Sequence, residues 1–394
     1  MRPGLRALAL LLFVSDPAQP AEPVAWPTRG FVLASPEAEG LDSKALDALD
    51  QEFFRGDHGF IDSMLVVRHG RLVYERAYRH DYAARFDSRR DGAPGIYNYY
   101  DPDWHPYYKG TDLHTLQSVS KSVTSLLVGV AIGRREIQSV DTEAVSLLKG
   151  FRASGDPRQA RMQLRHVLTM TTGIGWDENT VPYTDPANSC ARMEASQDWV
   201  QFVLDQPMVV EPGRRFVYNS GATQLLSAVL AQATGRLADD YAREHLFSPL
   251  GIDRFCWKRT PTGLPDTEGG LYLQPRDLAK LGLLLLADGV WEGRRILPEG
   301  WVRDSVARSV GVVDDPNKPY DYGFKWWLVP ESPSRPRAIL GRGYGGQSLL
   351  VVPSRDLVAV FTGWNVWERS ALSAHFTLDR LNAAFLPEAA QARR

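Results

Sequence analysis

Two side chains with complementary chemistry lie one helical turn apart in residues 113–130. Ser118 stands where the apolar spacing of residues 123–130 predicts that a helix begins, and Lys121 follows three residues later. Both side chains therefore leave the same face of the helix. A serine beside a lysine is a nucleophile beside a base, provided that burial or a neighbouring cation lowers the pKa of the amine. The free N–H groups at a helix start also suit an oxyanion.

The Ser-x-x-Lys spacing alone does not decide this function. A serine at a helix start is common as a cap. The chain also contains a second such pair, Ser146 and Lys149, just before Gly150. That pair ends an apolar segment and therefore lacks the free N–H groups of a helix start. Other motifs in the sequence are therefore needed to decide whether Ser118 is a catalytic nucleophile or a helix cap.

The composition excludes several classes of protein. The 394 residues are 44% hydrophobic and 23% charged, with a net charge of −2, so nothing favours binding to nucleic acid or to an anionic membrane surface. No histidine pair has metal-ligand spacing, and the Gly-x-Gly-x-x-Gly of residues 341–346 precedes a β-run rather than a helix. We therefore expect no metal, no cofactor and a small-molecule substrate, with the oligomeric state left open.

The first 21 residues have the pattern of an export signal. Arg2 and Arg6 precede an apolar run of eight residues, 7–14, which is too short to span a bilayer. The sequence thus predicts a mature chain, residues 22–394, that is periplasmic or secreted and not stably inserted in a membrane. An exported protein can pair its cysteines, and whether Cys190 and Cys256 are bonded stays open.

Strand patterns lie near both ends of the chain and helical patterns lie between them. A hairpin is predicted at residues 63–78, a single strand at 322–328, and a second hairpin at 348–361. Helices are predicted at residues 41–54, 163–172, 198–204, 222–235, 275–289 and 370–385. The terminal strands must pair, which predicts an α+β fold: one antiparallel sheet flanked by helices, with a large all-α lobe inserted. The α/β part spans about 40–115 and 290–390, and the lobe spans about 116–289.

Residues 96–108 hold six aromatic side chains in thirteen positions, against 10% for the whole chain. The segment leads into the Ser118 helix, so its rings either wall a binding cleft or pin a surface loop to the protein. Both interpretations stay open.

Tyr218 is the best candidate for a third reacting group. It lies in a short segment before a predicted helix, and a phenol donates a proton when neutral and accepts one when ionised. Ser220, two residues later, is placed to hydrogen-bond across the cleft. Taken alone, Tyr218 is better explained as a core tyrosine near a helix start.

The order of three elements is more specific than any one of them. Ser-x-x-Lys, then Tyr-x-Ser about a hundred residues later, then a glycine-rich strand entry, resembles the serine β-lactamase and penicillin-binding protein family. The pattern is most similar to the class C-like branch of carboxylesterases and 6-aminohexanoate-oligomer hydrolases. The resemblance covers roughly residues 40–385 and is carried by residues 117–122, 164–173, 218–220, 270–271, 276–278, 322–323, 326–327 and 341–347, together with Trp176.

The resemblance implies a role for each matching residue. Ser118 is the acylated nucleophile, Lys121 its proton acceptor, and Tyr218 the general acid and base. The backbone N–H groups of Ser118 and Tyr344 form the oxyanion hole. The residues implied in substrate binding are Ser220, Trp176, Arg342, Gly343 and Gly345.

Two departures from the family pattern bear on the substrate. The second element is Tyr-x-Ser where β-lactamases usually have Tyr-x-Asn, and Gly341-Arg342-Gly343 replaces the usual Lys-Thr-Gly or His-Thr-Gly. The missing Lys and Thr help to hold a β-lactam carboxylate, although Arg342 can supply the charge. We therefore predict an exported serine hydrolase of amide or ester bonds. The alternatives are a β-lactamase or DD-peptidase, and a catalytically idle binding or sensor domain.

Overall fold

The computed structural model of the protein describes residues 26–86, 99–307, 310–312, 320–367 and 372–387, so the predicted export signal lies outside the described residues. The helices are α1 Ser43–Phe54, α2 Ala83–Phe86, α3 Val119–Gly133, α4 Pro157–Ala160, α5 Leu164–Leu168, α6 Ser189–Glu194, α7 Trp199–Leu204, α8 Ser220–Thr234, α9 Ala238–Ala242, α10 Pro275–Leu286, α11 Trp301–Ser305 and α12 Ala374–Ala383. The strands are β1 Ile61–Arg68, β2 Arg71–Ala77, β3 His114–Thr115, β4 Cys256–Trp257, β5 Leu271–Leu273, β6 Val290–Trp291, β7 Arg294–Arg295, β8 Val310–Val312, β9 Tyr320–Tyr322, β10 Trp327–Val329, β11 Ala338–Gly343, β12 Gln347–Val352 and β13 Leu357–Gly363. None of the helices in these ranges is long and apolar enough to cross a membrane.

The main sheet joins strands from both ends of the chain. Its order is β2-β1-β13-β12-β11-β10-β9-β8, and every neighbouring pair is antiparallel. Strand β1 pairs directly with β13, with Ile61 opposite Gly363. The predicted α+β fold, with terminal strands in one antiparallel sheet, is therefore confirmed.

The β1–β2 hairpin forms where the sequence predicts it. His69 and Gly70 occupy its turn with φ of 49° and 75°. Two consecutive positive φ values give a turn whose twist matches that of the flanking strands, and glycine adopts such a φ without steric cost.

Each face of the sheet is covered by helices. Because successive side chains point to opposite faces, Met64 and Val66 pack with α1 and α12, whereas Leu65 and Val67 pack with the cluster that contains α3 and α10. The cluster that contains α3 and α10 continues into the helical lobe. Ser118 therefore lies where the sheet, the lobe and the start of α3 meet.

The prediction of one strand over residues 322–328 is wrong. Strand β9 ends at Tyr322 and β10 begins at Trp327, and the two pair with each other. A Cβ on Gly323 would lie 2.0 Å from the Ser305 carbonyl oxygen, and Lys325 has a φ of 63°. The close approach at Gly323 and the left-handed conformation of Lys325 together bend the chain. Neither feature can be recognised from the apolar and aromatic residues of this segment.

Two further predictions differ from the structure. The helix predicted at 163–172 ends at Leu168, and Met170 has a φ of 59°. The inserted lobe is not purely helical, because β4 and β5 join β3 in a small three-stranded sheet. That sheet holds the segment before Ser118, since the Leu116 N–H donates to the Leu271 carbonyl at 2.9 Å.

Candidate active site

Ser118 precedes the first residue of α3 at the end of a tight turn. Gln117 has a φ of 46°, an uncommon conformation for a residue with a side chain. Such backbone strain persists where the surrounding structure fixes it, and it is concentrated at functional sites. The Ser118 Oγ accepts a hydrogen bond from Lys121 rather than capping its own helix.

Lys121 lies one turn into α3 with only 1% of its surface exposed. Its Nζ is 2.8 Å from Ser118 Oγ, 2.7 Å from the Glu268 carbonyl oxygen and 2.8 Å from Glu268 Oε2. The predicted nucleophile and amine are thus in direct contact, and a buried carboxylate holds the amine from the other side.

Activation of Ser118 by a neutral amine would need a lowered pKa at Lys121, and the surroundings of this amine have the opposite effect. Burial of the amine lowers its pKa, but the negative charges of Glu268 and Glu178 outweigh burial and hold the pKa of Lys121 well above its usual value. The same attraction overcomes burial at Glu268 and lowers the pKa of that carboxyl. The resting pair is therefore an ammonium and a carboxylate.

Tyr218 lies just before α8, and the fold brings it to the same point. Its ring stacks on Trp327 with centroids 5.7 Å apart, and Lys121 Nζ lies 5.4 Å from the ring centroid. Burial raises the pKa of Tyr218, opposed by the charge of Lys121 and by a hydrogen bond with the Ser118 side chain. The phenol is therefore neutral at rest, and the three predicted reacting groups converge.

Glu178 organises two residues that were predicted to bind substrate. The Ser220 hydroxyl donates to Glu178 Oε1 at 2.8 Å, the Ser220 N–H donates to Oε2 at 2.8 Å, and the Trp176 indole N–H donates to Oε2. Ser220 is only 1% exposed. The Ser220 hydroxyl thus donates to an internal carboxylate that anchors the start of α8, and its hydrogen bond across the cleft stays a prediction.

Strand β11 passes very close to the turn that precedes Ser118. A Cβ on Gly343 would lie 2.4 Å from the Leu116 carbonyl oxygen, and one on Gly341 would lie 3.0 Å from Val119 Cγ1. Tyr344 follows at the end of the strand, and Gly345 turns the chain with a φ of 82°. This neighbourhood supports the predicted pairing of the Ser118 and Tyr344 N–H groups around an oxyanion, which stays a prediction.

The two β11 glycines make a graded test of that approach. We expect Gly343→Ala to lower kcat by about 10²-fold, because its methyl meets a backbone carbonyl that cannot move without shifting Ser118. The methyl of Gly341→Ala meets side chains rather than backbone, with Val119 Cγ1 nearest at 3.0 Å, and the variant is expected to lower kcat less than tenfold. Steady-state kinetics of both variants checks the order, and a reversed order would contradict the proposed oxyanion position.

The comparison with known families agrees with this geometry. A profile of the Beta-lactamase family matches residues 61–369, which span the sheet, α3, Tyr218 and β11. The chain belongs to the Beta-lactamase family. The predicted resemblance is thereby confirmed.

Its relatives in this family include named hydrolases. The chain is 27% identical over 365 residues to 6-aminohexanoate-dimer hydrolase of Paenarthrobacter ureafaciens, covering 88% of this chain and 79% of that protein. Among solved structures, EstCE1, a hydrolase with promiscuous acyltransferase activity, is similar with a TM-score of 0.65 and 17% identity, over 89% of this chain and 99% of that one. A penicillin-binding protein from Bacillus halodurans is similar with a TM-score of 0.59 and 17% identity, over 84% and 98%. The prediction of a β-lactamase-related serine hydrolase is confirmed.

Arg342 lies at the rim of the site in this β-lactamase-family protein. Its guanidinium carbon is 5.8 Å from the centroid of Trp327, the ring on which Tyr218 stacks, and 6.0 Å from that of Tyr320. The side chain is exposed, and within the described ranges it forms no ion pair. The role of Arg342 in substrate binding stays a prediction.

The aromatic segment reaches the same rim. Tyr99 stacks on Tyr344 with centroids 5.6 Å apart, and Tyr183 meets Tyr344 from another side at 5.5 Å. Trp104 in turn packs against Tyr99 at 5.5 Å. Tyr97 lies outside the described residues. The rings therefore favour the interpretation of the segment as a wall beside the candidate oxyanion position.

Both cysteines are free thiols. Cys190 is buried, with Sγ 3.9 Å from Glu268 Oε1. Cys190, Glu194 and Glu268 bring possible metal-ligand atoms within 4.8 Å of one another. Glu268 already binds the Lys121 ammonium, whose positive charge opposes a metal cation at this point.

The acids at this site were the part that sequence reasoning missed. Glu178 follows Trp176 and Glu268 precedes a Gly-Gly pair, but neither spacing matches a motif with a known physical mechanism. Glu178 contacts Ser220, which is 42 residues away along the chain, and Glu268 contacts Lys121, which is 147 residues away.

Proposed function

We propose that this protein cleaves amide or ester bonds through an acyl-enzyme on Ser118. The observation that carries the proposal is the 2.8 Å contact between Lys121 Nζ and Ser118 Oγ in a buried setting beside the Tyr218 phenol. Ser118 Oγ attacks the carbonyl carbon as its proton leaves along the hydrogen bond with Lys121, which gives a tetrahedral oxyanion stabilised by the N–H groups of Ser118 and Tyr344. The neutral Tyr218 phenol gives its proton to the leaving group, and water then hydrolyses the acyl-enzyme.

The substrate class follows from the rim of the site. Arg342 offers a planar cation that matches a carboxylate, and the rings of Tyr99 and Tyr344 offer an apolar wall. We therefore propose a small ester, amide or oligomer whose acyl chain is apolar and which carries a carboxylate away from the scissile bond. The likeness to a 6-aminohexanoate-dimer hydrolase supports an amide of this kind.

The direct test is covalent labelling of the nucleophile. Incubation with a fluorophosphonate probe, followed by peptide mass spectrometry, is expected to give a single adduct on Ser118. Folded protein that carries no Ser118 adduct would contradict the proposal. A screen of aryl esters, aminohexanoate oligomers and nitrocefin then ranks the substrates, and turnover of nitrocefin above the others would favour a β-lactamase.

The rim cation gives a prediction about substrate preference. We expect Arg342→Ala to raise KM about tenfold or more for substrates that bear a free carboxylate, while kcat and the KM of neutral aryl esters change less than threefold. Arg294→Ala, which removes another exposed arginine on β7, is the matched control. Equal losses on charged and neutral substrates would place Arg342 outside the binding site.

We also propose that the enzyme is exported. The charged and apolar pattern of residues 1–21 supports this, and the source cell is expected to process the chain near Ala21. Mass spectrometry of the amino terminus of the protein recovered from that cell tests it, and an intact Met1 end on all recovered protein would contradict it.

A further inference from the structure

The resting contacts of Lys121 pose a chemical problem for nucleophile activation. An ammonium group has three N–H donors and no lone pair. All three donors of Lys121 have acceptors: Ser118 Oγ, the Glu268 carbonyl oxygen and Glu268 Oε2. The amine therefore takes the Ser118 proton only if one of its own protons leaves at the same time.

Glu268 is placed to receive that proton. Its Oε2 is 2.8 Å from Lys121 Nζ, on a side chain that is only 6% exposed. The contact is as short as that between Lys121 and Ser118. Ser118 Oγ, Lys121 Nζ and Glu268 Oε2 thus form an unbroken hydrogen-bonded chain that ends on a carboxylate.

We propose that Glu268 acts through Lys121 as the final acceptor of the Ser118 proton, an inference that rests on the proposed function. As Ser118 Oγ bonds to the substrate carbonyl carbon, its O–H bond breaks and a new Nζ–H bond forms. A different Nζ–H bond breaks, and that proton binds Glu268 Oε2. The carbonyl π electrons move to the substrate oxygen. Before attack, the charges are the Lys121 ammonium and the Glu268 carboxylate. In the tetrahedral intermediate Lys121 is still an ammonium, Glu268 is neutral, and the negative charge lies on the substrate oxygen.

This arrangement keeps a positive charge beside the developing oxyanion throughout attack. Collapse of the intermediate then takes the Tyr218 proton to the leaving group, and the proton held by Glu268 returns through Lys121 to Tyr218. Burial disfavours the charged form of both partners, but their mutual attraction outweighs it and keeps the ion pair as the resting state, so the proton reaches Glu268 only as negative charge moves to the substrate oxygen.

The surroundings contain other titratable groups, all of which remain when Glu268 is replaced. Both partners are faced by Glu178, Cys190, Tyr218 and Asp266. Lys325 and Tyr322 also face Lys121, and Tyr183 and Glu194 also face Glu268. A change of pH profile on replacing Glu268 alone therefore reports on the loss of its carboxylate.

The test is the pH dependence of kcat/KM for Glu268→Gln on the best substrate found for the full-length enzyme. In the unmodified enzyme the proton stays within the pair, so we expect kcat/KM to change about tenfold or less between pH 6 and pH 9. Gln accepts no proton, so Lys121 must first release one to solvent. We expect kcat/KM of Glu268→Gln to rise about 10²- to 10³-fold over the same range. A profile of unchanged shape, whether lower or not, would overturn the inference.

Two further variants separate this role from a structural one. Glu194→Gln alters a neighbour of Glu268 but keeps the acceptor, so it is expected to retain the shape of the original profile. Glu268→Asp keeps a carboxyl group, and it is expected to retain that shape with a lower kcat/KM even if Glu268→Gln folds poorly. An alkaline-rising profile in Glu268→Asp would also overturn the inference. If the unmodified enzyme gave no Ser118 adduct, the proposed function itself would be rejected. Failure of the proposed function is therefore distinguishable from failure of the role of Glu268.

Discussion

Replacing Ser118 with Ala is expected to lower kcat/KM by about 10⁴-fold or more and to abolish labelling by a fluorophosphonate. The reason is that no acyl-enzyme forms without the Oγ, and losses of members of one catalytic unit are of this size. The fold should be unaffected, because the hydroxyl contacts Lys121 at the surface of the cleft rather than filling the core. Substrate turnover and intact-mass labelling, with a thermal unfolding curve for each variant, measure the effect.

The chain supplies a matched control for this variant. Ser146 also precedes a lysine by three residues, but it is exposed, and its hydroxyl donates to the Glu143 carbonyl at 2.7 Å. We expect Ser146→Ala to keep full activity and labelling. Substantial turnover by Ser118→Ala, or an equal loss in Ser146→Ala, would reject Ser118 as the nucleophile.

Replacing Lys121 with Met is expected to damage both activity and stability. Activity should fall by about 10³-fold or more, since the proton path from Ser118 is broken. The substitution also leaves Glu268 as a buried carboxylate without its cation, and removing one partner of a buried ion pair typically costs about 3 to 5 kcal/mol. Denaturant unfolding measures the free energy of unfolding directly.

The pH dependence of that loss has a definite sign. Without the ammonium, burial raises the folded-state pKa of Glu268 above its unfolded value, so the folded protein favours the protonated acid. The stability deficit of Lys121→Met is therefore smaller at pH 5 than at pH 8. A deficit that grows toward low pH would contradict the assigned charges of the pair.

A double variant separates the two effects. Lys121→Met combined with Glu268→Gln removes both charges and should recover most of the lost stability, while activity stays at the level of the single variant. Recovery of activity along with stability would show that Lys121 only supports the fold.

Local sequence signals predicted the parts of the fold that depend on local chemistry. His69-Gly70 marks the first hairpin, and Gly235 ends α8 in the left-handed conformation. The position of Ser118 before α3 and the meeting of Ser118, Lys121 and Tyr218 follow from helical spacing and the order of motifs. The pairing of β1 with β13 was predictable because each strand must bury one of its faces in a sheet.

Features that depend on distant contacts were not predictable in this way. The sign of the pKa change at Lys121 depends on Glu268, which is 147 residues away, and no local pattern marks that acid as a partner. The break between β9 and β10 depends on the Ser305 carbonyl lying against Gly323. Ser220 is turned inward by Glu178, again a contact between separate segments.

The direct neighbourhood of β1 and β13 has a consequence for biogenesis. Ile61 cannot meet Gly363 until about three hundred further residues have been synthesised, so the central pairing of the sheet forms only when the chain is nearly complete. Contacts between such distant positions slow folding. A nascent chain therefore lacks the central pairing of its sheet until synthesis is almost finished, and a truncation before β13 would remove a strand from within the sheet rather than one at its edge.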